Sequence, residues 1–175
     1  APAAIPLGVD VHSLDPSAGA TAGSVSVLTV GELDDVGAIV EAATGSEIVT
    51  YEWEGVPAAS TRALESDGWI VRPSTAALEI SQDRIAEKSL FISLRIPVAP
   101  HSAVSSRKEL DAALQTVGLP AILKTCRGGY DGKGQATMED ASKADGGGTA
   151  LGPAGDRGQE GGVPVVSRPR LIGAR

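Results

Sequence analysis

Leu123-Lys124-Thr125-Cys126-Arg127-Gly128-Gly129-Tyr130-Asp131-Gly132-Lys133-Gly134-Gln135 joins the end of an apolar run (119–123) to a turn with four glycines in seven residues. Glycine leaves backbone N–H groups uncovered and tolerates positive φ, so such a turn can fold over a polyphosphate. Lys124 and Lys133 bracket it with two ammonium groups. The G-x-x-x-x-G-K-[ST] spacing of a Walker loop is absent. Taken alone, the glycine count also describes a surface hairpin with Asp131-Gly132 as its turn. The local prediction is a strand over 120–125, the glycine turn, and a return strand to Met138.

As a whole, the string resembles the nucleotide-binding flap of the ATP-grasp superfamily. Its core, 129–135, is similar to that of the 5-(carboxyamino)imidazole ribonucleotide synthases, ATP-dependent carboxylating ligases of purine biosynthesis. Other stretches agree with that family in the same order. They are Pro6-Leu7-Gly8 through Leu14-Asp15-Pro16, Val49-Thr50-Tyr51-Glu52-Trp53-Glu54-Gly55-Val56-Pro57 and Arg72-Pro73-Ser74. Gln82-Asp83-Arg84, Glu87-Lys88 and Ile96-Pro97-Val98-Ala99-Pro100 follow. The resemblance covers residues 5–140 and stops there.

The resemblance implies roles for particular residues. Arg84, Lys124, Gly129, Tyr130, Asp131, Gly132, Lys133, Gly134 and Gln135 match ATP-binding positions. Tyr130 and Asp131 would also line the ribonucleotide site and take part in catalysis, Asp131 accepting a hydrogen bond from the substrate amine. Glu52 and Glu54 follow a strand, where open α/β sheets bind ligands, and would share a face if that strand continued. They are the other candidates for ribonucleotide binding. Each has a plainer reading: Lys124 as a solvated strand-end lysine, Asp131 as a turn former, Arg84 as a surface partner of Glu87, and the two glutamates as a solvent-facing pair. Two positions depart from the family: Gly55 stands where asparagine is usual, and Cys126 where arginine is common. The second removes a phosphate-seeking charge beside the loop.

The implied reaction uses ATP, bicarbonate and 5-aminoimidazole ribonucleotide and gives the carboxyamino product, ADP and phosphate. The implied cofactors are ATP and Mg²⁺, with the Mg²⁺ ligands in a second lobe that has no counterpart here. A family-type homodimer is also implied. Relative to the family, the chain is expected to lack the first strand with its glycine-rich turn and the second ATP-grasp lobe, and to be inactive alone. Another ATP-grasp ligase, or a non-catalytic remnant, are the alternatives.

Outward from the loop, residues 1–78 alternate short apolar stretches with helical patterns. Strands are predicted at 9–14, 24–30, 47–51 and 69–71, and helices at 33–43 and 58–66. That alternation argues for a parallel sheet with crossover helices. One helical region is predicted over 74–94, capped at Ser74, then a strand at 99–104 and a helix at 107–117. The expected class is α/β: a partial Rossmann-like pre-ATP-grasp domain (1–78), the first lobe of an ATP-grasp domain (79–140), and an irregular tail (141–175). The tail holds nine of the 22 glycines, five basic and three acidic residues, and no aromatic. Disorder is predicted there, with 163–166 its only strand candidate, weakened by Pro164.

Composition excludes several functions. The 175 residues carry a formal charge of −7 and five aromatic side chains, which argues against nucleic-acid binding. No apolar run approaches the ~20 residues of a membrane span. One cysteine and two histidines are too few for a disulfide framework or a Cys/His zinc site. Cytoplasmic residence is the default expectation.

Overall fold

The computed structural model describes residues 3–128, 134–139 and 165–167. The chain divides into two units, Ala1–Glu79 and Ile80–Arg175.

The first unit is built from parallel strand pairs and helices. Strand β1 (His12–Asp15) runs parallel to β2 (Val27–Val30), and β3 (Val49–Thr50) runs parallel to β4 (Val71–Arg72). Between them lie helices α1 (Val36–Ala43) and α2 (Ala58–Ser66), and α3 (Thr75–Ser81) follows β4. Asp35 caps α1, its Oδ1 accepting from the amides of Gly37 (2.8 Å) and Ala38 (3.3 Å). Ile39 and Ala43, one helical turn apart, pack with Leu64 of α2 and Val71 of β4. Leu14, Val49, Tyr51 and Trp69 extend this core, and the Trp69 indole N–H donates to the Ala43 carbonyl (3.1 Å). At the start of α3 the Glu65 carboxylate accepts from the Thr75 amide (3.0 Å), and Thr75 Oγ1 bonds Thr61 Oγ1 (2.9 Å) in the interior.

The single helical region predicted over 74–94 is two helices. α3 ends at Ser81, and α4 (Arg84–Ser93) starts afresh behind an Asp83 cap. A short carboxylate competes well for free amides at a helix start, so Asp83 opens a new helix instead of continuing the old one.

The second unit continues with β5 (His101–Ala103), α5 (Arg107–Val117), β6 (Ala121–Lys124), β7 (Gln135–Met138) and β8 (Val165–Ser167). The strands form an antiparallel sheet in the order β5-β8-β6-β7. Leu110, Ala113, Leu114 and Val117 of α5 bury against Val104, Ala121, Leu123, Met138 and Val166. The start of α5 is doubly fixed: Ser106 Oγ accepts from the Glu109 amide (3.2 Å), and Glu109 Oε2 accepts from the amide and hydroxyl of Ser105 (2.7 and 2.6 Å).

Strand β8 corrects the disorder predicted for the tail at these three residues. Val165 and Val166 are 1% and 0% exposed and sit between β5 and β6, with Val165 opposite both Ala103 and Lys124. A strand hydrogen-bonded on both sides and covered on both faces shows no polar–apolar alternation, so the candidate at 163–166 rested on a short apolar run alone, and it overlaps β8 at Val165 and Val166. Pro164, which weakened the strand candidate, lies outside the described residues. The rest of 140–175 lies outside the described residues.

Candidate functional site

The site grows from the hairpin β6–β7. Pairing runs from Ala121↔Met138 to Lys124↔Gln135. Thr125 adds one more bond, its amide donating to the Gly134 carbonyl at 2.8 Å. Gly134 has φ +74°, and a Cβ there would lie 2.8 Å from Thr125 Oγ1. Glycine is therefore required at 134 by backbone and packing together. Thr125 Oγ1 is buried and has no hydrogen-bond partner among the described residues. Gly129, Tyr130, Asp131, Gly132 and Lys133, the centre of the predicted site, lie outside the described residues. Lys124 and Gln135 pair at the loop end of the hairpin, with Lys124 half-buried and Gln135 exposed.

Helix α4 begins against the end of β6. The Arg84 amide donates to the Cys126 carbonyl (3.2 Å), and Arg84 Nε donates to the Thr125 carbonyl (3.1 Å). The Arg84 side chain is thus carried to the residue that follows Lys124. One turn further along α4, Lys88 joins the same neighbourhood. Burial pushes its ammonium below the usual lysine range, and the charges of Lys124 and Arg84 act in the same direction against an opposing Glu87. The charges of Arg84 and Lys124 thus both bear on Lys88 near the point where the chain leaves β6. Such a cluster costs free energy by itself and suits a polyanion, each charge-assisted bond to which contributes about 1.5–3 kcal/mol.

The sequence offers Arg84 and Lys124 as nucleotide-binding candidates and places Lys88 four residues after Arg84 without giving it a role. Its i+4 spacing from Arg84 was the available signal, because residues four apart share a helix face.

Asp83 completes this corner. Its Oδ1 accepts from the amides of Ile85 (2.9 Å) and Ala86 (3.1 Å) and from the Cys126 thiol (3.2 Å). Its Oδ2 accepts from Arg127 Nε (3.2 Å) and Nη2 (3.0 Å). Burial alone would raise the Asp83 carboxyl, but these donors outweigh it and hold it below the usual carboxylate range. Burial pushes the Cys126 thiol up, and the adjacent carboxylate adds to the effect, so Cys126 is a neutral donor rather than a thiolate nucleophile.

Glu52 and Glu54 belong to the first unit and are exposed. Strand β3 ends at Thr50, so the alternation that would align the two carboxylates on one sheet face does not reach them. The nearby Gly55 backbone lies under the Trp53 ring, where a Cβ would sit 2.3 Å from Cζ2. An asparagine at 55 would displace that indole. Among the described residues no group of three or more His, Cys, Asp or Glu could hold a metal ion, and no helix is long and apolar enough to cross a membrane.

Comparison with known proteins carries the family resemblance past residue 140, where the sequence alone was expected to end it. The ribonucleotide synthetase preATP-grasp domain matches residues 1–82, and the ATP-grasp domain matches 89–156. An N5-carboxyaminoimidazole ribonucleotide synthase of Pseudomonas aeruginosa is 37% identical over 173 residues, covering 99% of this chain and 48% of that protein. The crystal structure of the Thermus thermophilus synthetase superposes with a TM-score of 0.80 at 39% identity, covering 94% of this chain and 42% of the other. The Staphylococcus aureus enzyme, crystallised with ADP, gives 0.84 at 27% identity, with coverages of 96% and 43%. The chain therefore spans about half the length of the relatives it matches.

Proposed function

We propose that this chain, which belongs to the N5-carboxyaminoimidazole ribonucleotide synthase family, supplies the phosphate-binding half of an ATP-dependent carboxylation of 5-aminoimidazole ribonucleotide. The observation that carries the reading is that the charges of Arg84 and Lys124 both bear on Lys88 near the point where the chain leaves β6. Arg84 and Lys124 bind the ATP phosphates, and Lys88 adds a third charge. The amides of 129–135 and Lys133 complete the phosphate contacts. Tyr130 packs on the ribonucleotide, Asp131 accepts from its exocyclic amine, and Glu52 and Glu54 contribute hydrogen bonds to the same substrate.

In the reaction so served, a bicarbonate oxygen attacks the γ-phosphorus, and the bond to the ADP oxygen breaks. The amine lone pair then attacks the carboxyl carbon of carboxyphosphate, phosphate leaves, and the amine proton is lost. Each step shifts negative charge onto phosphate oxygens, which fixed cations stabilise more than they stabilise the ground state. Magnesium, when present on the phosphates, supplies further neutralisation.

Calorimetric titration with ATP·Mg²⁺ tests the reading. Saturable binding by the chain, weakened about tenfold or more by Lys124→Ala, is expected, a loss of about 1.4 kcal/mol or more. Absence of binding, or equal binding by the Lys124 variant, would overturn it.

A further inference from the structure

We propose that Asp83 is a positioning residue that locks α4 to the root of the glycine-rich stretch, so that the cations of the helix and of β6 are held in one geometry. The inference rests on the nucleotide reading above but concerns a residue that touches no nucleotide in it.

An ordinary helix cap uses one carboxylate oxygen and leaves the other in water. Here both oxygens are committed. Oδ1 holds the two free amides of α4 and the Cys126 thiol, while Oδ2 takes the Nε and Nη2 donors of Arg127. Two further ties run beside them, one from the Arg84 amide to the Cys126 carbonyl and one from the Arg84 side-chain Nε to the Thr125 carbonyl. Residues 125–127 are thereby held by residues 83 and 84 across a separation of more than 40 positions in sequence. Lys124 precedes this clamped segment directly, and Gly128, at φ +70°, follows it.

The exposure of the partners says where the effect lies. The side chains of Arg127 and Asp83 are 45% and 21% exposed, so as a stabilising ion pair this contact is modest. Its consequence is orientation: the paired Arg127 fixes the direction in which the chain leaves the sheet. Misplacement of binding groups by ~1 Å costs up to about 10²-fold in functions that depend on alignment.

The test separates position from stability and from the nucleotide reading itself. Asp83→Asn keeps an oxygen for the cap and discards the carboxylate charge that pairs with Arg127, and Arg127→Gln discards the same pair while leaving the cap intact. Two readouts apply to each. The first is ATP·Mg²⁺ affinity, expected to fall about tenfold in either variant and no further in the double variant, within the range misplacement produces. The second needs no nucleotide: chymotryptic cleavage after Tyr130, followed by mass spectrometry, is expected to accelerate several-fold in both variants at temperatures where their circular dichroism matches the parent. Unchanged cleavage in both variants would overturn the proposal. If the parent fails to bind ATP while the variants still cleave faster, the positioning role stands and the nucleotide reading falls. Parental ATP affinity in both variants, alongside an effect of Lys124→Ala, would also overturn it.

Discussion

The amide of Thr125 donates to the carbonyl of Gly134 at 2.8 Å, one step beyond the last paired residues of the β6–β7 hairpin. This bond closes the glycine-rich stretch on itself, and it does so against a glycine with no room for a side chain. Gly134→Ala is expected to destabilise the second unit by about 1–3 kcal/mol, because it combines a left-handed φ with a contact at 2.8 Å. Urea unfolding followed by circular dichroism measures the loss, and a midpoint equal to the parent's would contradict the packing argument.

Thr125 itself offers the opposite substitution. Its buried Oγ1 lacks a partner among the described residues, and valine has the same shape without the hydroxyl. Thr125→Val is expected to be neutral or stabilising by up to about 1 kcal/mol, since an unpaired buried hydroxyl costs more than a methyl group. A clear destabilisation in the same unfolding assay would show that the hydroxyl is hydrogen-bonded.

Lys88 is expected to oppose stability and serve binding. Its ammonium is partly desolvated and repelled by Lys124 and Arg84. Lys88→Met should leave the melting temperature equal or higher and weaken ATP binding by about tenfold. A lower melting temperature with unchanged ATP affinity would mark Lys88 as a purely structural residue.

Acid should loosen both units through carboxylates held below their usual range. Asp83 does so in the second unit, where burial works against its donors, and Glu65 in the first, where the Thr75 amide and hydroxyl hold it down. For a depressed folded-state pKa, the stabilisation is complete above the unfolded value, about 3.9 for Asp and 4.3 for Glu, and is lost as pH falls through the folded value. Urea midpoints should therefore drop between about pH 5 and 3, and the drop should be smaller in Asp83→Asn and Glu65→Gln. Parallel pH profiles for parent and variants would show that neither group is linked to folding.

The three-residue strand β8 should matter as much as a longer one. Val166 is 0% exposed in the core beneath α5, and Val166→Ala removes two buried methyl groups at about 0.8 kcal/mol each, with a cavity term in addition. A loss of about 2 kcal/mol in unfolding free energy is expected, and a change below about 0.5 kcal/mol would mean the strand contributes little to the fold.

Much of this was legible in the chain. The helix over 107–117 and the hairpin around the glycine stretch could be read directly, because caps, glycines and apolar spacing act within a few residues of one another. Arg84 and Lys124 are candidates through a motif, which carries spacing but no distance. For Lys88 the i+4 spacing shows only that it shares a helix face with Arg84; that the charge of Lys124 also bears on it depends on the folding of β6 beside α4.

By itself the sequence determined the family, the alternation of strands and helices, and which residues flank the glycine-rich stretch, since each of these is written in local order. Only the tertiary structure decided that Val165–Ser167 enters the sheet, that Asp83 ends one helix and ties the next to Cys126 and Arg127, and that the charges of Arg84 and Lys124 both bear on Lys88. The physical reason is common to all three. Strand register, carboxylate pairing and charge repulsion are set by distances between residues far apart along the chain, and those distances exist only once the two ends of each contact have been folded together.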